Sequence, residues 1–180
     1  FRGLERTAVD VAEAGVIVAI AGITQATVAD TLCDPAGDTP FLAQPFVDTD
    51  LSHVVAMEAR GFIFGGQLAA RLGCGFVPVR KPGKLPAAVD VVSYALEYGE
   101  GKLEMHQGSL SASSRVLVVD DLLATGGPAA ATVELVQRQG AQVAAFAFVV
   151  ELDFLAGRRK LHQVTSHTTP VHALIHVAGE

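Results

Sequence analysis

The sequence predicts an α/β fold in which a mainly parallel, twisted sheet is flanked by helices. Two observations predict it: apolar runs of strand length alternate with helix-length segments, and 50% of the residues are hydrophobic whereas 18% are charged. Strands buried on both faces of a parallel sheet carry such continuous apolar runs, and alternating strands and helices place successive strands in parallel. Because 180 residues suit one such domain, residues 1–180 are predicted to form a single domain.

The predicted elements follow from this alternation. The expected strands and helices are strands at 51–57, 76–80, 115–119, 143–150 and 172–177 and helices at 65–72 and 128–139, the second stopped by Gly140. Residues 81–99 lose helical periodicity because prolines and glycines interrupt them, and the apolar alternation over residues 91–96 is typical of a strand. We therefore expect residues 81–99 to form a long, hairpin-like flap.

The composition excludes several classes of protein. The net charge of −6 argues against a protein that binds nucleic acid through its phosphates. No apolar stretch reaches the roughly 18 residues of a membrane span, and no basic-then-apolar signal segment opens the chain. We therefore expect a cytoplasmic protein without a membrane partner. Cys33 and Cys74 have no metal-ligand spacing and are expected to be buried and reduced.

Residues 115–127 carry the strongest functional signal, because a strand, Asp120 and Asp121, and a loop of small residues follow one another there. Glycines let backbone N–H groups approach one anion, and a helix start adds its positive end. The lysine of a Walker loop and the spaced glycines of a dinucleotide site are missing. Because paired carboxylates repel a bare phosphate but accept hydrogen bonds from hydroxyls, we predict a ribose 5-phosphate; an ordinary strand and turn is the alternative. The loop residues are Ala124, Thr125, Gly126, Gly127 and Pro128.

Four segments, in order along the chain, resemble a known family. They are residues 58–65, residues 79–86 with 93–99, residues 115–127, and residues 150–152 with 155–161. Together they resemble the adenine phosphoribosyltransferase branch of the type I phosphoribosyltransferases, and the third resembles the family's motif for 5-phosphoribosyl 1-pyrophosphate (PRPP). The resemblance implies a small hood, here residues 1–50, and a flexible flap over the site. It also implies a homodimeric pentosyltransferase of purine salvage that makes AMP and pyrophosphate from PRPP and adenine.

The resemblance extends to the residues that neutralise the leaving pyrophosphate. Pyrophosphate carries several negative charges, so its site needs cations and backbone donors. Mg²⁺ is the expected cofactor, held by phosphate oxygens and water without dedicated protein ligands. The family's first loop has a cis peptide, which would fall between Glu58 and Ala59. The matching cations are Arg60, Arg80, Lys81 and Lys84, and some of their equivalents act across the dimer interface in the family. The alternative for Arg60 is a surface ion pair. The alternative for the other three is a solvated basic turn.

Three acidic residues are the candidate catalytic groups. Asp120 and Asp121 can accept hydrogen bonds from the ribose hydroxyls and stabilise the oxocarbenium character that develops as pyrophosphate leaves. Neighbouring strand residues point to opposite faces, so we favour Asp120 over Asp121. Glu97, on the flap, resembles the family's proton acceptor for the purine, with Tyr98 beside it as a substrate-binding residue. An exposed strand carboxylate is the alternative for Glu97. The flap is expected to exclude water before the reaction.

The chain departs from the family pattern in two places. Pro128 stands where the loop usually closes with threonine, so that position supplies neither an N–H nor a hydroxyl. Residues 20–24 read Ile-Ala-Gly-Ile-Thr where the family usually has Phe-Arg-Asp-Ile-Thr, so the aromatic ring that stacks on adenine is missing. Ile20 and Leu152 are expected to form apolar walls around the base, and the backbone near Ala19 to contact the purine edge.

Two other functions stay open at this point. A phosphoribosyltransferase for another base is compatible with the missing aromatic ring, although the match over residues 93–99 disfavours it. A noncatalytic PRPP-sensing regulator of the same fold would carry an added DNA-binding segment and a basic face, and the sequence has neither. The predicted partners are PRPP, adenine, AMP, pyrophosphate and a second copy of the chain, without nucleic acid or membrane.

Overall fold

The structure is a computed structural model that describes residues 43–46, 49–95 and 99–179, which lie within one compact unit, Thr31–Glu180. In chain order its elements are β1 (His53–Met57), α1 (Gly61–Leu72), β2 (Gly75–Val79), β3 (Val89–Ala95), β4 (Glu100–His106), β5 (Arg115–Leu123), α2 (Gly127–Arg138), β6 (Gln142–Leu152), α3 (Gly157–Val164) and β7 (Val171–Val177). Short 3₁₀ helices lie at Gln44–Phe46 and Asp153–Leu155.

The main sheet has five strands in the order β2-β1-β5-β6-β7, and every neighbouring pair is parallel. Helix α1 connects β1 to β2, α2 connects β5 to β6, and α3 connects β6 to β7. Parallel neighbours need such crossovers because a tight turn can join only antiparallel strands. The predicted α/β class and the mainly parallel sheet are thereby confirmed.

Both faces of this sheet are buried, which explains the continuous apolar runs in its strands. On β1, Val54 and Ala56 pack in the cluster that contains α1, whereas Val55 and Met57 pack in the cluster that contains α2 and α3. All four side chains are almost fully buried. Full burial of an aliphatic side chain stabilises a fold by about 1.5–3 kcal/mol. The rigid sheet therefore fixes the ends of its strands, where the candidate residues lie.

The central strand β5 is longer than the sequence predicts. We expected it to end at Val119 with both aspartates beyond it, and this prediction was wrong. Strand β1 pairs with β5 only as far as Val119, but the long strand β6 pairs with it as far as Leu123. Asp120 and Asp121 are therefore held in the ladder with β6 while they lie past the end of the pairing with β1.

Other boundaries also differ from the prediction. Helix α1 begins at Gly61 rather than at residue 65, and its N-cap residue Arg60 makes no side-chain capping hydrogen bond. The sequence thus lacks the Ser, Thr, Asp or Asn that marks most helix starts. Strand β4 and helix α3 were not predicted. The remaining elements shift by one or two residues, which is the ordinary uncertainty of element ends.

Strands β3 and β4 form a separate two-stranded antiparallel hairpin. A hairpin-like flap was expected within residues 81–99, but only the first strand lies there, and the second, β4, lies beyond Gly99. Its base is tied to the end of α2, where Arg138 Nη1 donates to Val91 O at 2.8 Å. The flexibility expected of this segment stays a prediction.

Several predicted residues lie outside the described part of the chain: Ala19, Ile20, Cys33, Leu96, Glu97, Tyr98 and nearly all of the proposed hood. The hood and the single domain over residues 1–180 stay predictions. Cys74 is half-buried rather than buried, and its Sγ donates to Leu51 O at 3.3 Å. Among the described helices, none is long and apolar enough to cross a membrane.

Candidate active site

The two aspartates of β5 converge on the loop that leads into α1. A Cβ placed on Gly61 would lie 2.8 Å from Asp120 Oδ1. Asp121 forms an ion pair with Arg60, whose Nε donates to Asp121 Oδ2. The Asp121 backbone N–H donates to Asp120 Oδ1 at 2.9 Å. Although neighbouring strand residues point to opposite faces, both carboxylates therefore reach the same loop.

Asp120 titrates near neutral pH. Burial raises the pKa of Asp120 to about 7, and the hydrogen bond and negative charge of the Asp121 side chain act in the same direction. The Asp121 backbone N–H and the Arg60 charge oppose this rise. Near pH 7 the group is therefore divided between acid and carboxylate. A positive charge that develops beside it favours the carboxylate and is stabilised by it.

The loop between β5 and α2 has the geometry of an anion site. Gly126, the N-cap of α2, has a φ of 75°, in the left-handed region that glycine adopts without penalty. The first N–H groups of a helix have no intrahelical acceptor and lie at its positive end, so they can bind an anion. Pro128 was predicted to be the first residue of this helix, but α2 begins at Gly127 and Pro128 is the second.

The start of α3 packs against this loop. A Cβ on Gly157 would lie 2.2 Å from Ala124 O and 3.1 Å from Gly126 N. A Cβ on Gly126 would lie 2.9 Å from Gly157 O. Real Cβ contacts are not this short, so backbone lies directly against backbone here. The loop therefore has little freedom to change shape.

A buried ion pair fixes the start of α3. The side chain of Glu151, on β6, is only 4% exposed and accepts a hydrogen bond from Arg158 Nε at 3.0 Å, and Arg158 Nη2 contacts its second oxygen. Arg158 Nη1 also donates to Val171 O at 2.6 Å. One guanidinium thus joins β6, α3 and β7, next to Gly157. Removing one partner of such a pair is costly because the other charge stays buried.

The basic segment, residues 80–84, lies beside the loop between β1 and α1. Arg80 Nε donates to Glu58 Oε2 at 2.9 Å, and Arg80 Nη1 donates to Lys84 O at 2.9 Å. The peptide between Glu58 and Ala59 is cis, as the resemblance implies. Burial alone would raise the pKa of Glu58, but the hydrogen bonds from the Lys81 N–H and Arg80 and the charges of Arg80 and Lys84 outweigh it and lower the pKa. Lys81 and Lys84 are exposed.

One group of possible metal ligands exists in the described part of the chain. Ligand atoms of Glu151, Asp153 and His176 lie within 4.8 Å of one another. However, both carboxylate oxygens of Glu151 already contact Arg158, and His176 Nδ1 lies 3.0 Å from Asp153 Oδ1. The positive guanidinium disfavours a cation here, so we assign no metal to this group.

Comparisons with known proteins show to which family the chain belongs. The sequence model of the family described as "Phosphoribosyl transferase domain" matches residues 42–171. The adenine phosphoribosyltransferase of Sorangium cellulosum (strain So ce56) is 55% identical over 161 residues, which are 88% of this chain and 80% of that protein. The chain belongs to the adenine phosphoribosyltransferase family.

Solved structures of the family show the same fold. The adenine phosphoribosyltransferase of Thermoanaerobacter pseudethanolicus superposes with a TM-score of 0.70 at 46% identity over 76% of each chain. That of Saccharomyces cerevisiae, complexed with an imino-altritol bisphosphate and adenine, gives a TM-score of 0.66 at 45% identity over 74% of this chain and 72% of that one. The family recognised from the sequence is thereby confirmed.

The structure brings some of the predicted site residues together. Arg60, Asp120 and Asp121 meet at the loop between β1 and α1. Arg80 contacts Glu58, which belongs to that loop. Leu152 is the last residue of β6 and is half-buried. Their roles toward substrate stay predictions. The surface ion pair considered for Arg60 is present, with the Arg60 side chain 72% exposed.

Sequence reasoning assigned no role to Gly157, the Glu151–Arg158 pair, Gly101 or Tyr94. No local pattern marks these residues, because their importance lies in contacts between residues far apart in the chain. The segments over residues 150–161 and 93–99 were noted as family-like. That likeness was the available signal for Glu151, Gly157, Arg158 and Tyr94, and Gly101 lay outside it.

Proposed function

We propose that this chain transfers the 5-phosphoribosyl group of PRPP to adenine in purine salvage, with AMP and pyrophosphate as products. The observation that carries the proposal is the paired Asp120 and Asp121 on β5, followed by the glycine loop of α2, in a chain that matches adenine phosphoribosyltransferases over most of its length. The yeast relative's complex with adenine and a bisphosphorylated imino sugar supports the same choice of substrates.

The phosphate loop binds the 5′-phosphate of PRPP in this proposal. Gly126 gives the loop its left-handed turn at the N-cap of α2, and the start of α2 supplies unpaired N–H groups for the phosphate. Thr125 adds a hydroxyl in the same loop. Since Gly157 holds the loop in place, little reorganisation accompanies binding, and a preorganised site loses less entropy.

Asp120 and Asp121 act on the ribose. They accept hydrogen bonds from its hydroxyls and stabilise the positive charge that develops when the bond from C1 to the pyrophosphate oxygen breaks. Pyrophosphate leaves with the bonding electron pair, adenine N9 forms the new bond to C1, and the N9 proton passes to a base. Glu97, with Tyr98 beside it on the hairpin, is the proposed base. Asp120 acts as the carboxylate, which its pKa near 7 makes available at and above neutral pH.

The cations of the site neutralise the leaving pyrophosphate. Arg60, 72% exposed, can turn from Asp121 toward a pyrophosphate oxygen. Lys81 and Lys84 are exposed and follow Arg80 along the chain. Arg80, held by Glu58, supplies charge from a fixed position. Mg²⁺ bound to the diphosphate would lower its charge further and favour its departure. Leu152 is the proposed wall for the base, opposite Ile20 and the backbone at Ala19.

A homodimer and a cytoplasmic location complete the proposal. The chain's similarity to the family supports the dimer, in which a second subunit would add cations to the pyrophosphate site. PRPP carries several negative charges and does not cross a membrane unaided, so the enzyme is expected in the compartment that makes PRPP. Sedimentation equilibrium of the purified protein tests the dimer, and a monomer at the concentration of the activity assay would contradict it.

A panel of bases tests the reaction. Purified protein is incubated with Mg²⁺, PRPP and, separately, adenine, hypoxanthine, guanine and uracil, and the nucleotide formed is measured by chromatography. We expect AMP from adenine alone. A nucleotide from another base in preference to adenine would favour the first alternative. PRPP binding without any product would favour the noncatalytic regulator. The variant with Asp120→Asn and Asp121→Asn, purified identically, controls for enzymes carried over from the expression host.

A further inference from the structure

Tyr94 lies on the face of the β3–β4 hairpin that is turned toward α2. Along β3, Val92 and Tyr94 are buried or half-buried, whereas Val91 and Ser93, which alternate with them, are exposed. Such alternation marks one face of a strand that packs on the protein. Tyr94 packs against the main hydrophobic cluster, which includes α2 residues. The ring is therefore directed at the element that begins with the phosphate loop.

Two glycines lie against the Tyr94 ring. Gly101 is its partner across the hairpin, and a Cβ there would lie 2.4 Å from Tyr94 Cζ and 2.7 Å from its hydroxyl oxygen. A Cβ on Gly127, the first residue of α2, would lie 3.3 Å from Tyr94 Cδ2. The ring thus covers the glycine of its own hairpin and contacts the glycine of the phosphate loop. Aromatic side chains cover cross-strand glycines in this way in other sheets.

Tyr94 is also close enough to the ribose site to be influenced by it. Burial raises the pKa of Tyr94, and the negative charge of Asp120 raises it further. The phenol therefore stays neutral at physiological pH and lies within electrostatic reach of the carboxyl group proposed to bind the ribose. A single side chain thus connects the hairpin with both parts of the proposed PRPP site.

We propose that Tyr94 is a positioning residue whose ring, held between Gly101 and Gly127, couples the β3–β4 hairpin to occupancy of the phosphate loop. The inference rests on the proposed function, because it takes the 5′-phosphate of a ribose as the ligand of that loop. A phosphate that fixes Gly127 gives the ring a defined surface, and the ring then fixes the hairpin. Coupling of this kind is reciprocal, so hairpin docking strengthens phosphate binding by the same factor.

Hydrogen exchange with ribose 5-phosphate tests the coupling. This ligand occupies the loop but has no purine, so it cannot protect the hairpin through base contacts. We expect it to slow exchange of residues 89–95 and 100–106 about ten-fold, which lies within the usual range of coupling between sites. Tyr94→Ala should abolish this protection, whereas Tyr94→Phe, which keeps the ring, should retain it. Val91→Ala, on the exposed face of the same strand, is the matched control and should behave as wild type.

A double-mutant cycle tests the role of the ring independently. Gly101→Ala introduces a Cβ into the space of the ring and should also remove the ligand-induced protection. In the Tyr94→Ala background the same change should have no further effect, because the ring it displaces is absent. Tyr94→Ala and Gly101→Ala should each raise the dissociation constant of ribose 5-phosphate about ten-fold and the double variant no further, whereas Tyr94→Phe should keep the wild-type value.

Protection that survives in Tyr94→Ala, or losses from the two substitutions that simply add, would overturn the inference. Should Tyr94→Ala fail to fold, Gly101→Ala with and without Tyr94→Phe gives the same contrast: both should lose protection while Tyr94→Phe alone keeps it. Failure of the proposed function looks different. In that case wild type makes no AMP from adenine. If wild type makes AMP and the hairpin ignores ribose 5-phosphate, the coupling alone is wrong.

Discussion

The phosphate loop and the β3–β4 hairpin are held in place in different ways. Backbone supports the loop, since a Cβ on Gly157 would lie 2.2 Å from the nearest loop carbonyl. Side chains hold the base of the hairpin: Arg138 Nη1 donates to Val91 O at 2.8 Å. Gln139 Nε2 donates to Asp90 Oδ2 at 2.9 Å. Each such hydrogen bond contributes only about 0.5–1.5 kcal/mol net. Val92, Leu103 and Met105 also bury the base of the hairpin in the core, so the exposed end of the hairpin, with Ala95, Glu100 and Lys102, is the part with the fewest restraints.

This difference suggests a division of labour between the two regions. A loop fixed by backbone contacts is already shaped for its ligand and determines binding in the ground state. In the proposed function the exposed end of the hairpin closes over the site and affects the chemical step through exclusion of water and delivery of Glu97. Substitutions in the loop should therefore change stability and affinity. At the exposed end of the hairpin Glu97→Ala should change turnover, whereas Tyr94→Ala, which removes the contact between hairpin and loop, should change phosphate affinity as well.

Glu97→Ala should have the largest effect on the reaction. Removal of a general base slows catalysis by about 10²–10⁴-fold, and we expect kcat to fall by this much. The dissociation constant of PRPP should change by no more than about two-fold, because an interaction made only in the transition state leaves ground-state binding intact. Steady-state kinetics and PRPP titration measure the two, with Val91→Ala as the hairpin control. Equal losses in kcat and PRPP affinity would remove the catalytic role of Glu97.

Gly157→Ala should have the largest effect on the loop. Its Cβ meets Ala124 O, a backbone atom that cannot rotate away, and overpacking of this kind lowers the free energy of unfolding by about 1–3 kcal/mol. The dissociation constant of AMP should rise with it because the loop is displaced. Urea denaturation and AMP titration measure these changes. Gly66→Ala, within α1 where a Cβ meets nothing within 4 Å, should instead stabilise by about 0.5–1 kcal/mol. The same sign for both variants would contradict the structure.

The pKa of Asp120 predicts how binding and catalysis depend on pH. Because the pKa is raised to about 7, the carboxylate is lost as pH falls below that value, and kcat/KM for PRPP at pH 5 should be about 100-fold below its plateau. Asp120→Asn removes this limb and keeps any limb that belongs to the phosphates of PRPP. Where its turnover is too slow, the dissociation constant of AMP serves instead. An unchanged limb in the variant would assign the titration to another group.

The same raised pKa predicts a change in stability. Asp120 binds its proton more tightly in the folded protein than in the unfolded chain, so its stabilising contribution is fully present below the ordinary pKa of 3.8 and is lost as pH rises through about 7. Relative to Asp120→Asn, the free energy of unfolding of wild type should therefore fall between about pH 4 and pH 7. Urea denaturation across this range measures it, and a relative rise would show that the pKa is lowered instead.

Much of this architecture was predictable because its signals are local. The apolar run over residues 116–119 indicates a strand buried on both faces. The acidic pair followed by glycines indicates the phosphate loop. The end of β5 was not predictable in the same way, since it depends on the length of β6, its partner in the sheet. A contact between distant parts of the chain has no local pattern.

The same distinction applies to the site. Asp120 and Asp121 were found from their place in a motif, but the ion pair of Asp121 with Arg60 spans 61 residues of sequence. The sequence gives Gly157 no distinguishing feature, and its importance comes from its close contact with Ala124. The sequence therefore supplied the candidate groups for the chemistry, whereas the groups that hold these candidates in position became visible only with the fold.

Pro128→Thr should give a smaller effect whose sign differs between binding and stability. Threonine restores an N–H and a hydroxyl in the first turn of α2, where N–H groups have no intrahelical partner and can bind a phosphate. A hydrogen bond to a charged group contributes about 1.5–3 kcal/mol, so PRPP should bind about ten-fold more tightly. An unchanged or weaker dissociation constant would count against phosphate binding at this loop.

Stability should move the other way in the same variant. Proline restricts the unfolded chain, so its replacement at a helix start is expected to lower the free energy of unfolding by about 0.4–1 kcal/mol. Pro128→Ala restores the N–H without the hydroxyl and should share this loss, so the difference between the two variants in PRPP affinity isolates the hydroxyl. If both variants bind PRPP equally and more tightly than wild type, the N–H alone makes the contact. If only Pro128→Thr gains affinity, the loop binds phosphate through the side chain at this position.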